Sequence, residues 1–253
     1  MTHRLKRRTI YSIGIANLLL NVALWIAPVA LAKYRPPKTP SAPKDTLPRL
    51  TRGGCDSNAS VGLSPLVPFS HIGQTSSQYP TFTWFVPDRS PYPLQLRLFT
   101  STGQSLYRTQ MQSQPGMMQF SLPQDQPGLA IGQSYGWQVV LVCNPNIPSM
   151  NVIAVAEIAV VKPSSALQIQ LAAAQTPQQR IDLYGESGLW YDAIREAIKA
   201  SETAQNQSAV LDLLDFLAIS EAQPLKDCSD RLIQIQKIER QRQGQIQLLP
   251  PNP

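Results

Sequence analysis

Between about residues 61 and 162 apolar and polar positions alternate in short runs broken by Pro and Gly. Phe82, Trp84 and Val86 alternate with Thr81, Thr83 and Phe85, and Pro87 ends the run. Leu94, Leu96 and Leu98 alternate with Gln95, Arg97 and Phe99; Thr100–Gln104 reads as a hairpin turn, and Leu106 to Met111 follows it. Met118, Phe120 and Leu122 repeat the pattern, Tyr135, Trp137, Val139, Leu141 and Cys143 share one face, and Val152 to Val161 is almost continuously apolar. A period of two marks strands with one dry and one wet face, and about six or seven of them predict an antiparallel, immunoglobulin-like β-sandwich over residues 53–162. The aromatic positions Trp84 and Trp137 fall on the apolar faces, so core packing is expected before a carbohydrate platform. Glu157, inside the run VIAVAEIAVV, is expected on the solvent side of an edge strand.

After Lys162-Pro163 the period lengthens to about 3.6, the mark of helices. Ser165 to Gln175 reads as a first helix. Thr176-Pro177-Gln178-Gln179 starts the next, with Thr as cap, Pro at the first helical position and Gln three residues after the cap. Gly188 supplies a left-handed stop. Trp190, Ala193, Ile194, Ala197 and Ile198 form one apolar face, and Val210, Leu211, Leu214, Leu217 and Ala218 another. The string from Tyr184 to Ile194 resembles the middle of a tetratricopeptide repeat, with Gly188 at the turn, Trp190 at the large position and Ala193 at the close crossing. One such unit is too little for a solenoid, so residues 163–222 are expected to pack on the sandwich. The fold class is therefore α+β. Residues 223–253 read as a Gln-rich polar tail, with a polar helix from Asp227 to Gln243 carrying Leu232, Ile235 and Ile238 on one side and a disordered Pro250–Pro253 end.

Composition redirects the reading of the termini. The 253 residues carry a formal +6, but ten basic residues against one acid lie in residues 1–52, leaving twelve basic against fifteen acidic in the remainder. A nucleic-acid binder clusters Lys and Arg on its folded domain; here the surplus lies outside it, and no nucleic-acid partner is expected. Residues 1–32 have the parts of a signal peptide: Arg4, Lys6, Arg7 and Arg8, then an apolar stretch, then Ala30-Leu31-Ala32 as the cleavage site. The alternative is a retained membrane anchor over residues 10–32, since about 20 apolar residues span a bilayer. Residues 33–52 hold Pro36, Pro37, Pro40, Pro43 and Pro48 and read as an extended basic linker.

Candidate chemistry is sparse. The three cysteines, in an exported setting, favour a disulfide. Cys55–Cys143 is the preferred pair, with Cys228 left free or bonded to another chain; closing that loop is worth about 3–4 kcal/mol. No metal-ligand spacing, phosphate loop or dinucleotide fingerprint occurs, and no cofactor is expected. His71 is the only histidine after residue 32, and its adjacency to Ser70 does not make a triad. No catalytic residue is assigned.

Several motifs then fall in order: Thr51-Arg52-Gly53-Gly54-Cys55, Leu63-Ser64-Pro65-Leu66-Val67-Pro68, Tyr79 to Pro87, Gly132-Gln133-Ser134-Tyr135-Gly136-Trp137, Leu141 to Pro145, and Gly188 to Ala193. The chain resembles in these the exported cyanobacterial family catalogued as domain of unknown function nine-two-eight, over about residues 50–220. The resemblance implies an envelope or extracellular setting and one domain of β then α character, and its matching cysteines support the Cys55–Cys143 pair. The expectation is a periplasmic or extracellular, non-enzymatic module that contacts another envelope protein through Tyr184, Trp190 and Tyr191. A module binding cell-wall polysaccharide is the alternative. Contact with a membrane is expected only through an uncleaved N-terminus.

Overall fold

A computed structural model describes residues 33–43, 53–56, 60–202 and 208–247. It is mixed α+β, with two antiparallel-rich sheets and five helices. Eight strands lie at Ser64–Pro65 (β1), Gly73–Thr75 (β2), Thr81–Val86 (β3), Pro93–Thr100 (β4), Ser105–Gln112 (β5), Gly116–Ser121 (β6), Ser134–Leu141 (β7) and Val152–Val160 (β8). One sheet has the order β1-β3-β6 and the other β2-β8-β7-β4-β5. The signal or anchor expected over residues 1–32 lies outside the described residues, as does the Pro250–Pro253 end.

The alternation of β4 and β7 becomes the inner face of the five-stranded sheet. Leu94, Leu96 and Leu98, with Trp137, Val139 and Leu141, are almost wholly buried. They meet the three-stranded sheet at Phe82, whose ring lies 5.2 Å from that of Trp137. In β3 all six residues are buried, Thr81 and Thr83 included, because the helices cover its second face. Two further features depart from a purely antiparallel sandwich with a polar rim. β2 joins β8 in parallel, Gly73 opposite Ile158 and Thr75 opposite Val160, so β8 is not an edge strand and Glu157 sits half-buried on the sheet's outer face. A parallel pair requires a long crossover, and here the whole of β3–β7 intervenes.

The helices are Ser165–Ala173 (α1), Pro177–Glu186 (α2), Trp190–Ser201 (α3), Ala209–Glu221 (α4) and Lys226–Gln247 (α5). The capping box at α2 forms as its residues require: Thr176 Oγ1 accepts from the Gln179 amide, and Gln179 Oε1 accepts from the Thr176 amide. Gly188 takes φ +77° after α2, a left-handed conformation that side chains disfavour. α3 packs against β2 and β3, and the β and α parts share one hydrophobic core. α5 is longer than the helix expected in the tail. It buries Cys228, Leu232, Ile235, Gln236 and Glu239, a stripe at helical spacing among many glutamines, and Arg231 donates to Ser64 Oγ on β1.

Residues 33–43 are not a free spacer either. Tyr34 is buried, the Arg35 amide donates to the Gly185 carbonyl at 3.0 Å and the Ile72 amide donates to the Ser41 carbonyl at 2.9 Å. One aromatic side chain with a core to enter outweighs a solvated Pro-rich segment. Gly185 is the seat of this strap: a Cβ there would lie 2.5 Å from the Lys33 carbonyl oxygen.

Candidate functional site

The three residues expected to meet a partner are internal. Trp190, fully buried at the start of α3, donates through its indole N–H to the Leu66 carbonyl at 2.8 Å and stands edge-on to Tyr34. Tyr191 reaches between the sheets. Its hydroxyl accepts from the Trp137 indole N–H and donates to the Glu157 carbonyl, each at 2.8 Å, and burial pushes the phenol far above its ordinary pKa. Tyr184 is buried at the end of α2 with the Arg180 guanidinium over its ring. The repeat-like string therefore builds core, and its aromatic faces are covered by the strap and the sheets. A short repeat-like unit lying on a sheet has its large positions taken up by that sheet.

A buried polar chain crosses the strap, the loop before β2 and the end of α4. The Glu221 carboxylate accepts from the Phe69 and Ser70 amides and from Ser70 Oγ. Ser70 Oγ lies 3.0 Å from His71 Nδ1, and Tyr34 Oη lies 2.6 Å from His71 Nε2. A serine has one hydroxyl hydrogen. With that hydrogen on Glu221, Nδ1–H of His71 donates to Ser70 and Nε2 accepts from Tyr34. In a hydrolase triad the carboxylate orients the histidine, and the histidine takes the serine proton; here the carboxylate holds the serine instead. His71 is 2% exposed.

Burial lowers the His71 pKa to about 4, and a titration follows. The unfolded chain binds the proton near pH 6.5, whereas the folded chain does so only near pH 4. Stability from this group is therefore complete above about pH 6.5 and is lost as pH falls toward 4, by about 3 kcal/mol. Burial raises the carboxyls of Glu221, Asp192 and Asp88, which contribute with the opposite sign. The expected result is thus a difference: in urea unfolding at pH 7 and pH 4.5, wild type loses more stability than His71→Asn. Equal losses would contradict a buried neutral histidine.

An accessible cavity lies elsewhere, on the outer face of the five-stranded sheet. It is a cleft of about 620 Å³ between the strap at Ser41 and Ala42 and the sheet. Cross-strand register places Phe99, Gly136 and Glu157 in one row across β4, β7 and β8, with Arg97, Gln138 and Val155 in the next. A Cβ at Gly136 would meet nothing within 4 Å, so the floor is open where a side chain would stand. Phe99 supplies a ring surface, and Gln133, Gln138, Ser134 and Thr100 supply amides and hydroxyls. Gly136, reading as a gap in an apolar run, and Phe99, on the polar side of its strand, were the available sequence signals.

Cys55 and Cys143 are bonded, with their Cα atoms 5.1 Å apart. Cys228 is free and buried, and burial pushes its thiol up to about 11. Among the described residues no group of three or more His, Cys, Asp or Glu is placed to hold a metal ion, and no helix is long and apolar enough to cross a membrane. The fold defines a disulfide-bonded α+β domain of the kind that oxidising, exported environments favour. Residues 48–224 match the family described as Domain of Unknown Function (DUF928), and the chain belongs to that family. A comparison with curated proteins finds no match.

Proposed function

We propose that this chain is an exported, non-enzymatic binding module of the cell envelope, periplasmic or extracellular, whose ligand is a wall polysaccharide held in the cleft over Gly136. The carrying observation is the cleft itself: a glycine floor, one aromatic wall and a border of amides and hydroxyls. Sugars are recognised by just such a ring surface with hydrogen-bonding groups around it. The engagement of Ser70 and His71 in internal hydrogen bonds supports a binding role. In this reading the two sheets are an immunoglobulin-like sandwich, and α2 and α3 are a tetratricopeptide-like hairpin that buttresses it. Residues 1–32 deliver the chain and are removed after Ala32 or stay as an anchor, which the intact mass of the exported protein distinguishes.

The test is co-sedimentation of the full chain with purified wall polysaccharide. Wild type is expected to pellet with it, and Gly136→Trp is expected to lose at least tenfold in affinity with its unfolding midpoint unchanged. Absence of wild-type binding, or an unaffected variant, overturns the reading. Another envelope protein is the second reading, favoured by Ile147, Met150 and Ile153, all exposed around the β7–β8 connection. It predicts that Met150→Asp, rather than Gly136→Trp, abolishes retention in the envelope fraction.

A further inference from the structure

Beside the cleft the outer face carries two arginines, Arg97 and Arg108. Arg97 on β4 and Arg108 on β5 stand directly opposite one another in the register, so both side chains rise from the same face. Like charges so placed repel. They are held together by a neutral group: Gln95 Oε1 accepts from Arg97 Nε at 3.2 Å, from Arg97 Nη2 at 2.7 Å and from Arg108 Nη2 at 2.8 Å. An amide oxygen orders the two guanidinium groups and neutralises neither. Among the described residues neither arginine forms an ion pair with Asp or Glu. A guanidinium has five N–H donors, and Gln95 uses two of Arg97 and one of Arg108. Partial burial, and then the charge of Arg108, lower the pKa of Arg97, the direction a bound anion would reverse.

Arg97 stands next to the cleft, and Arg108 beside it one strand further out. Arg97 faces Gln138 across β4 and β7, and Phe99 stands two residues along the same face of β4; both Gln138 and Phe99 line the cavity. Glu157 lies on β8, with β7 between it and β4, so the arginine side of this face is the one that draws an anionic substituent. We infer that the ligand is a carboxylated polysaccharide: its sugar rings lie over Gly136 against Phe99, and a uronate-type carboxylate is gripped by Arg97 and Arg108. Planar forks of N–H donors match a carboxylate in two parallel hydrogen bonds, and the amide- and hydroxyl-bearing cleft beside them takes the sugar rings.

This inference rests on the polysaccharide reading above, and the experiment separates the two. The full chain is titrated with polygalacturonate, with a neutral glucan of similar length and with polyphosphate, at low and at high salt. Polygalacturonate is expected to bind at least tenfold more tightly than either of the others. Arg97→Gln/Arg108→Gln is expected to bring its affinity down to that of the neutral glucan and to flatten its salt dependence. Arg108→Gln alone, at an exposed position that does not threaten folding, is expected to lose severalfold. Equal binding of the charged and neutral glycans, with no change in the double variant, overturns the inference and leaves the polysaccharide reading standing. Tighter binding of polyphosphate overturns it in favour of a phosphate polymer. No binding of any polymer overturns both.

Discussion

Reducing the Cys55–Cys143 bond, or replacing both cysteines by Ser, is expected to lower the unfolding free energy of the oxidised protein by about 4 kcal/mol. The two cysteines are 88 residues apart. Closing so long a loop removes many conformations from the unfolded chain and few from the folded one. The reduced protein is nevertheless expected to stay folded, because the Cys55 segment keeps its own contacts. The Asp56 amide donates to Asp88 Oδ1 at 2.6 Å, and Asp56 accepts from the Tyr92 hydroxyl at 2.8 Å and from the Arg89 amide. Cys228 gives no shortcut to reshuffling, since its buried thiol is raised to about 11 and the thiolate is the attacking species. Guanidinium unfolding with and without reductant measures the difference. An unchanged midpoint would mean that the bond constrains neither state.

How far the sequence foretells this arrangement depends on how many faces of each element are wet. β4 and β7 have one dry and one wet face, so Leu94, Leu96 and Leu98, and Trp137 and Val139, announce the inner side of the sheet. β3 is covered on both sides, and its buried Thr81 and Thr83 look polar in the sequence although the fold hides them. β1 and β2 are too short for any period to show. The pairing of β2 with β8 joins segments distant in the chain, and no local pattern records it. The helices were legible through their caps, as at Thr176 and Gly188, because capping is a local hydrogen-bonding matter. Site legibility fails for the same reason as strand pairing. Ser70 and His71 are neighbours in the chain, but Tyr34 and Glu221, which complete their hydrogen bonds, lie 37 and 151 residues from their respective partners. The cleft is less legible still, since its floor is a glycine and its rim joins three strands through register alone.

Trp190→Ala is expected to cost about 4 kcal/mol, an effect on folding and not on a contact surface. The indole is fully buried, so its loss leaves a cavity that neighbours anchored in two sheets and a helix fill incompletely. It also strands the Leu66 carbonyl, which accepts the indole N–H, and removes the edge against which Tyr34 stands with ring centroids 5.0 Å apart. The strap should therefore loosen along with the core, and limited proteolysis within residues 33–43 should quicken in the variant before global unfolding begins. Trp190→Phe keeps most of the volume and loses the hydrogen bond, so a smaller cost of about 1–2 kcal/mol is expected. Thermal and denaturant unfolding of both variants, with protease mapping, checks this order. A residue that met a partner directly would give the reverse: wild-type stability, an unmoved strap and a loss confined to binding. That outcome would return Trp190 to the surface and reopen the repeat-like helices as the binding face, at the expense of the cleft on the opposite layer.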